Sequence, residues 1–290
     1  MSPRVVHALV AAREAGYVLS IASGRPFCSV NKQVLACGAM SYAVCSNGAS
    51  VVRVADGAPV SQSMLSREDA LRCHEMLAPF KPAWNAFFGG HAYFEWKGAS
   101  YMLTGRTGAV ARAMRAEGAS SGLLTRLARF GRKGMLYVWR MATNRSHKQV
   151  RSVLPHVRRA AGGVEKMGCT IPNPQLCAQA AELLCADGSY EVVHMGATEL
   201  EITARGVSKA SGAQALMQLL DIGPQKATAF GDGGNDMPLA AVCGRFVAVG
   251  NADEEVKAIA TEVCGSVAED GVAVWIENML ARDGQKGGLS

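Results

Sequence analysis

Two aspartates lie four residues apart on a glycine-rich turn. The stretch Thr228–Leu239 reads Thr-Ala-Phe-Gly-Asp-Gly-Gly-Asn-Asp-Met-Pro-Leu, and its aspartates are Asp232 and Asp236. The apolar run that ends at Phe230 predicts a buried strand, so both carboxylates follow a strand end. Carboxylates at this spacing could share one Mg²⁺, which takes a few carboxylates plus water and phosphate oxygens. The alternative is a solvated acidic turn that caps a helix, with Pro238 just inside it.

Further polar residues follow two other predicted strands and begin one predicted helix. They are Ser23, Gly24 and Arg25 after the first strand, Asn47 after the second, and Lys209 at the helix start. The carboxyl ends of parallel strands meet at one edge of an α/β sheet, where ligands bind. A phosphoryl group needs a hydroxyl, backbone N–H donors, a fixed cation and acids that hold a metal. Taken singly, Ser23 could cap a helix and Lys209 could be solvated.

Both terminal parts of the chain alternate predicted helices and strands. The predicted strands are 17–22, 41–45, the hairpin 50–54 with 58–63, 227–230 and 245–249. The predicted helices of the last part are 211–220, 237–241, 254–260 and 271–281. This alternation is typical of a doubly wound α/β sheet.

The middle of the chain has a different pattern, which predicts an inserted α+β domain. Its predicted elements are aromatic strands at 83–88 and 91–96, a strand at 134–140, a helix over 144–161 and paired strands at 189–195 and 199–203. We therefore predict a discontinuous core of residues 1–65 and 204–282 and an inserted domain of residues 66–203. The Gly-rich end, 283–290, is predicted to be a flexible tail.

Composition limits the class of protein. The 290 residues are 49% hydrophobic and 19% charged, which is typical of a globular protein. No apolar run has the roughly 18 to 20 residues that span a bilayer, and the start lacks a secretory signal, so we expect a cytoplasmic protein without a membrane partner. Nine cysteines, scattered without a Cys-x-x-Cys pair, predict free thiols rather than a zinc site or disulfides.

The net charge of +6 raises the question of nucleic-acid binding. Much of the excess lies in residues 106–133, where only Phe130 is aromatic and no nucleic-acid motif occurs. Solvated helix faces that attract small anions explain this stretch better, so we expect no nucleic-acid partner. A dinucleotide site is also not indicated, because no Gly-x-Gly-x-x-Gly follows a strand.

Taken together and in this order, the motifs resemble the haloacid dehalogenase (HAD) superfamily, and within it the Cof-type phosphatases of subclass IIB. The matching segments are Ile21-Ala-Ser-Gly-Arg-Pro, Ser46-Asn-Gly-Ala, Gly206-Val-Ser-Lys, Gly231-Asp-Gly-Gly-Asn-Asp and Val249-Gly-Asn-Ala. The resemblance covers nearly the whole chain. It implies a Rossmann-like core with a cap domain, here residues 66–203, over the active site. It also implies Mg²⁺-dependent hydrolysis of small-molecule phosphate monoesters, often sugar phosphates, through an aspartyl-phosphate intermediate.

The resemblance also implies roles for single residues. Ser23 would hydrogen-bond the phosphoryl group, Lys209 would neutralise its charge, and Asp232 and Asp236 would bind Mg²⁺. Asn235 would contact phosphate. The substrate side would further include Gly24, Arg25 and Asn47, and the candidates from the cap are His91, Tyr93, Trp96 and Arg140.

One family motif has no counterpart in this sequence. The family's first motif, Asp-x-Asp-Gly-Thr, ends the first core strand and supplies the nucleophile, but the chain contains no Asp-x-Asp. We expect the missing strand and motif to lie upstream of Met1, in roughly 20 or more residues, so that this chain is weak or inactive as given. The alternative is a non-catalytic pseudoenzyme that binds a phosphate ligand.

Overall fold

The computed structural model describes residues 1–98 and 146–287. It divides into two compact units. One unit comprises Met1–Ser63 and Val207–Ser290, and the other comprises Met64–Gly206. The predicted strand at 134–140, the basic stretch 106–133 and the candidate Arg140 lie outside the described residues.

The elements of both units are numbered here in chain order. The helices are α1 (Pro3–Glu14), α2 (Lys32–Ala36), α3 (Arg67–Met76), α4 (Leu154–Val157), α5 (Pro174–Asp187), α6 (Lys209–Leu219), α7 (Glu254–Ile259) and α8 (Gly271–Gly287). The strands are β1 (Leu19–Ala22), β2 (Met40–Cys45), β3 (Ser50–Arg53), β4 (Pro59–Gln62), β5 (Ala83–Phe88), β6 (His91–Glu95), β7 (His147–Val150), β8 (Lys166–Thr170), β9 (Tyr190–His194), β10 (Glu199–Ala204), β11 (Thr228–Gly231), β12 (Arg245–Ala248) and β13 (Glu262–Val263). The 3₁₀ helices are Phe27–Ser29, Ser46–Gly48, Ala78–Phe80, Pro224–Lys226, Gly234–Ala241 and Val267–Glu269.

The first unit contains two sheets. One has the order β1-β2-β3-β4, with β1 and β2 parallel and the other pairs antiparallel. The other has the order β11-β12-β13 and is parallel throughout. Among the described residues β1 and β11 are both edge strands, and neither hydrogen-bonds the other.

Helices α1 and α8 form one apolar layer in this unit. Their buried residues, among them Ala8, Ala12 and Ile276, pack in one cluster with Leu19 of β1 and Phe230 of β11. α1 begins after Ser2, which accepts a hydrogen bond from the Val5 N–H as an N-cap. α8 extends to Gly287, past the end that the sequence predicted at Ala281.

The second unit is a six-stranded sheet of order β7-β6-β5-β8-β10-β9 with helices packed on it. Its core joins residues of β5, β8 and β10 with residues of α3, α4 and α5, including Cys73, Met167 and Leu184. The predicted pair of strands is confirmed as β9 and β10, which are antiparallel, with Leu200 opposite His194.

The predicted helix over 144–161 is wrong in the part that is described. β7 pairs in parallel with β6, with Ala92 opposite His147, and only Leu154–Val157 is helical. Pro155 fits the first turn of this helix but would remove a backbone hydrogen bond from the middle of a longer one. Pairing with β6 therefore determines the conformation of His147–Val150, although the spacing of apolar residues there is typical of a helix.

All nine cysteines are free thiols, as the sequence predicted. Burial raises the pKa of Cys73 to about 12, and burial raises that of Cys177 to about 11. Across the described ranges, no helix combines the length and apolar character that crossing a bilayer requires.

Candidate functional site

The turn after β1 presents the hydroxyl of Ser23. The Ser23 N–H donates to Val44 O of β2 at 2.8 Å, which fixes the backbone at the strand end. The Ser23 Oγ accepts the Arg25 N–H at 3.1 Å. A hydroxyl that accepts one hydrogen bond keeps its own O–H as a donor. Ser23 can therefore donate to an anionic oxygen at this edge of the sheet.

The turn after β2 has an unusual backbone conformation. Ser46 and Asn47 both have positive φ, at 51° and 57°, and both are almost fully buried. Left-handed backbone in non-glycine residues is uncommon and concentrates at functional sites. The Asn47 N–H donates to Ser23 O at 3.1 Å, so this turn is tied to the one after β1.

The next residue, Gly48, lets helix α6 dock against this turn. A Cβ at Gly48 would lie 1.9 Å from the backbone oxygen of Ser208, the N-cap of α6, and a Cβ at Gly212 would lie 2.8 Å from the Gly48 Cα. Two glycines thus allow the backbones to approach closely. This contact places Lys209, the first residue of α6, beside the strand ends.

Lys209 forms a buried ion pair with Asp236. The Nζ of Lys209 is 2.6 Å from Asp236 Oδ1, and the two residues are only 6% and 4% exposed. A buried pair of this kind is stable only when both charges stay paired, because a single uncompensated charge is strongly disfavoured there. The pair therefore fixes an ammonium group and a carboxylate in one position.

Asp236 also closes the turn after β11. Its Oδ2 accepts the N–H of Asp232 at 3.1 Å and that of Gly233 at 3.4 Å. A Cβ at Gly231 would lie 2.6 Å from the Asp236 Cβ, so glycine is needed at the strand end. The sequence-predicted pair Asp232 and Asp236 is brought together on this turn.

Partial burial raises the pKa of the Asp232 carboxyl, because it removes water from the charged form. The neighbouring Asp236 carboxylate raises this pKa further, whereas the Lys209 ammonium group lowers it. Asp253, which the sequence analysis did not select, also raises it. Its N–H donates to Asp232 O at 3.0 Å, and it is the N-cap of α7. The signal in the sequence was an aspartate before a helix, just after the Val249-Gly-Asn-Ala segment that resembles the family.

The donor set fits a divalent cation. In the two described ranges no group of three His, Cys, Asp or Glu side chains could hold a metal ion. Mg²⁺ does not need such a cage, because it usually binds one or two carboxylates and completes its shell with water and phosphate oxygens. Asp232 and Asp236, brought together on one turn, provide such a partial site.

The remaining predicted residues differ in their surroundings. Arg25 is exposed and contributes its backbone oxygen, which accepts the Ser46 N–H at 2.9 Å. Gly24 and Asn235 are half-buried on the turns after β1 and β11. In the second unit, Tyr93 stacks between the rings of Phe88 and His156. That packing explains the aromatic pattern at Tyr93 without any ligand.

The other two described candidates of the second unit, His91 and Trp96, also differ in their surroundings. The ring of His91 makes an edge contact with the Tyr93 ring at 6.1 Å between centroids. Trp96 is 61% exposed.

Comparison with known proteins decides the family. Residues 1–276 match the model of the haloacid dehalogenase-like hydrolases. The chain belongs to this family. The solved structure of a HAD subclass IIB sugar phosphatase is similar to it, at 17% identity and a TM-score of 0.70, over 96% of this chain and 92% of that one. The HAD family and the α/β fold class predicted from the sequence are both confirmed.

Two curated relatives match shorter stretches. The phosphoglycolate phosphatase of Methanopyrus kandleri is 37% identical over 93 residues, which are 32% of this chain and 40% of that protein. A 5-amino-6-(5-phospho-D-ribitylamino)uracil phosphatase of Bacillus subtilis is 30% identical over 115 residues, which are 40% of this chain and 46% of that protein. The chain thus spans less than half the length of these two relatives.

The raised pKa of Asp232 predicts how stability of this HAD chain depends on pH. A carboxyl with a raised folded-state pKa stabilises the fold below its unfolded pKa, and this contribution is lost as pH rises through the folded pKa. In EDTA, the unfolding free energy of Asp232→Asn relative to wild type should therefore increase from about pH 4 to pH 7. Urea unfolding at several pH values measures this difference.

Addition of Mg²⁺ at pH 7 should stabilise the wild type and leave Asp232→Asn unchanged. Asp221→Asn is the matched control, because it removes an exposed carboxylate in the same unit at a left-handed position that Asn tolerates. Equal stabilisation of all three proteins by Mg²⁺ would contradict a metal role for Asp232.

Proposed function

We propose that this chain is a Mg²⁺-dependent phosphatase that acts on small-molecule phosphate monoesters. The observation that carries the proposal is the buried Lys209–Asp236 pair, at 2.6 Å, on the same strand-end edge as Asp232 and Ser23. This edge combines a hydroxyl donor, a fixed ammonium group and two carboxylates. Few ligands other than a metal-bound phosphoryl group use all four.

Each group would have a separate task. Lys209 and the Ser23 hydroxyl donate hydrogen bonds to the phosphoryl oxygens, which orients the phosphorus and stabilises negative charge. Asp232 and Asp236 would hold Mg²⁺, which when bound would polarise the phosphoryl group. The Asp236 carboxylate also keeps Lys209 in place before substrate arrives, so the site needs little reorganisation.

The sequence has no counterpart of the residue that serves as the nucleophile in this family. HAD phosphatases, in the resemblance described above, form an aspartyl-phosphate on the Asp-x-Asp motif, and no Asp-x-Asp occurs in the 290 residues. We therefore expect the polypeptide to bind Mg²⁺ and phosphate but to turn over only weakly.

We further propose that residues 66–203 are the cap domain that selects the substrate. The named substrates of the two curated relatives, phosphoglycolate and a phosphorylated ribityl compound, are both small phosphate monoesters. They are accordingly the first compounds to test, together with sugar phosphates.

Calorimetric titration with inorganic phosphate tests the proposed site directly. Phosphate should bind in the presence of Mg²⁺ and not in EDTA, and Ser23→Ala should weaken binding by about fivefold to tenfold, which corresponds to one hydrogen bond to a charged group. In Asp232→Asn, addition of Mg²⁺ should no longer promote phosphate binding. Asp221→Asn, at an exposed position away from the turn, should bind as the wild type does.

Phosphate release from the panel of monoesters is measured in parallel. Low release that requires Mg²⁺ and is lost in Asp232→Asn supports a phosphatase. Phosphate binding without any release supports a phosphate-ligand binder instead. Absence of phosphate binding with Mg²⁺ overturns the proposed site.

A further inference from the structure

Asp253 lies beside the turn that carries Asp232 and Asp236. Its N–H donates to Asp232 O at 3.0 Å, which holds the loop after β12 against the turn after β11. A second backbone hydrogen bond, from the Val249 N–H to Gly231 O at 3.2 Å, supports the same contact. The backbone therefore fixes Asp253 next to Asp232.

Asp253 is the N-cap of α7, but its side chain makes no capping hydrogen bond. An N-cap aspartate normally accepts the N–H of the second or third helical residue. The N-caps of five other helices accept such a bond, namely Ser2 of α1, Asn31 of α2, Ser66 of α3, Asn173 of α5 and Ser208 of α6. The exposed Asp253 carboxylate can therefore bind a partner other than its own helix.

The charges around this turn leave room for a cation. When ionised, Asp232, Asp236 and Asp253 carry three negative charges, and Lys209, which is paired with Asp236, supplies one positive charge. Asp253 adds to the rise in the pKa of Asp232, so the two carboxylates lie close enough to repel each other. Two negative charges remain, and one Mg²⁺ neutralises them.

Asp253 does not fit the inner shell of such an ion. In the parts of the chain that the structure describes, no three His, Cys, Asp or Glu side chains form a group that could hold a metal ion. Mg²⁺ dehydrates reluctantly and keeps several waters when a protein binds it. Outer groups that hydrogen-bond the ligands of a metal orient them, and loss of such a group typically weakens metal binding by about 10-fold to 100-fold.

We propose that Asp253 accepts a hydrogen bond from the hydration shell of the Mg²⁺ that Asp232 and Asp236 hold. This inference rests on the Mg²⁺ site of the proposed function and adds one residue to it. Asp253 is a positioning residue, since it would contact neither the metal nor the substrate directly. Capping of α7 is the other explanation for an aspartate here, and the missing capping bond argues against it.

Calorimetric titration of the full chain with MgCl₂ at pH 7 tests this role without turnover. Asp253→Ser removes the charge and shortens the side chain, but it keeps a residue that N-caps helices as well as Asp does. The variant should bind Mg²⁺ about tenfold more weakly than the wild type. This difference should persist in about 1 M KCl, where the screening length of about 3 Å suppresses charge effects at a distance.

Glu255→Gln is the matched control. It removes one exposed carboxylate from the first turn of the same helix, so it changes the net charge as Asp253→Ser does. Because its charge is exposed and screened, this variant should bind Mg²⁺ within about twofold of the wild type.

Urea unfolding in EDTA gives a second readout. Asp253→Ser should be at least as stable as the wild type there, because it removes a carboxylate that repels Asp232. A purely structural role of Asp253 predicts instead a loss of stability both in EDTA and in Mg²⁺.

The outcomes separate this inference from the proposed function. Absence of Mg²⁺ binding in the wild type overturns both. If the wild type binds Mg²⁺ and Asp253→Ser binds it equally tightly, only the role of Asp253 is overturned. The same conclusion follows if the difference disappears in KCl, if Glu255→Gln is weakened as much, or if Asp253→Ser loses stability in EDTA.

Discussion

Lys209→Met is expected to lower the unfolding free energy by about 3–5 kcal/mol, because it leaves the buried Asp236 carboxylate without its partner. The loss should appear in urea unfolding at pH 7 in EDTA. Removal of both charges in Lys209→Met with Asp236→Asn should restore part of this loss, since the neutral amide needs no compensating charge and its oxygen can still accept the Asp232 N–H. The single variant should also lose Mg²⁺-dependent phosphate binding.

Lys257→Met provides the matched control. Lys257 also pairs with a carboxylate in the same unit, at 2.8 Å, but its partner Glu254 is 89% exposed. Exposed pairs contribute about 0–1 kcal/mol, so this variant should unfold almost as the wild type does and bind phosphate normally. Equal destabilisation by the two lysine variants would contradict the buried pair at the site.

Gly48→Ala is expected to destabilise the chain by about 3 kcal/mol or more, from left-handed backbone strain together with a backbone clash. Gly48 has φ of 101°, and its Cβ would lie 1.9 Å from the Ser208 oxygen. The clash should move the start of α6, and with it Lys209, so phosphate binding should be lost as well. Urea unfolding and phosphate titration measure the two effects.

Gly16→Ala separates the effect of left-handed backbone strain from the effect of the backbone clash. Gly16 lies in the same unit with a similar φ of 92°, but nothing lies within 4 Å of its Cβ position. This variant should cost only about 1–2 kcal/mol and keep phosphate binding. If Gly16→Ala were as harmful as Gly48→Ala, close packing of α6 against the turn after β2 would not be the reason.

The turn after β11 could be predicted closely from the sequence. A short apolar run, a glycine and two aspartates four residues apart are local features, and the structure has β11 at Thr228–Gly231 with Asp232 and Asp236 on the turn that follows. The pairing of the neighbouring strands β9 and β10 was equally local. Interactions within a few residues determine such features, so the sequence pattern carries them.

Contacts between distant segments could not be predicted in this way. The sequence selected Lys209 through its resemblance to a family motif, but the 2.6 Å contact with Asp236 depends on how α6 docks through Gly48 and Gly212. Asp253 was missed because its effect on Asp232 arises from the fold. The helix over 144–161 was wrong because β7 hydrogen-bonds β6, which lies more than 50 residues earlier in the chain.

The sequence alone determined the HAD family and the α/β class, and it predicted the residue types of the proposed phosphate and metal site, because these depend on motif order and local periodicity. The tertiary structure alone decided that Lys209 and Asp236 form a buried pair and that Ser46 and Asn47 take left-handed backbone. It also decided that β1 and β11 remain unpaired edges in the described chain. Each of these outcomes is fixed by packing and hydrogen bonds between segments far apart in the chain, and no local pattern encodes that.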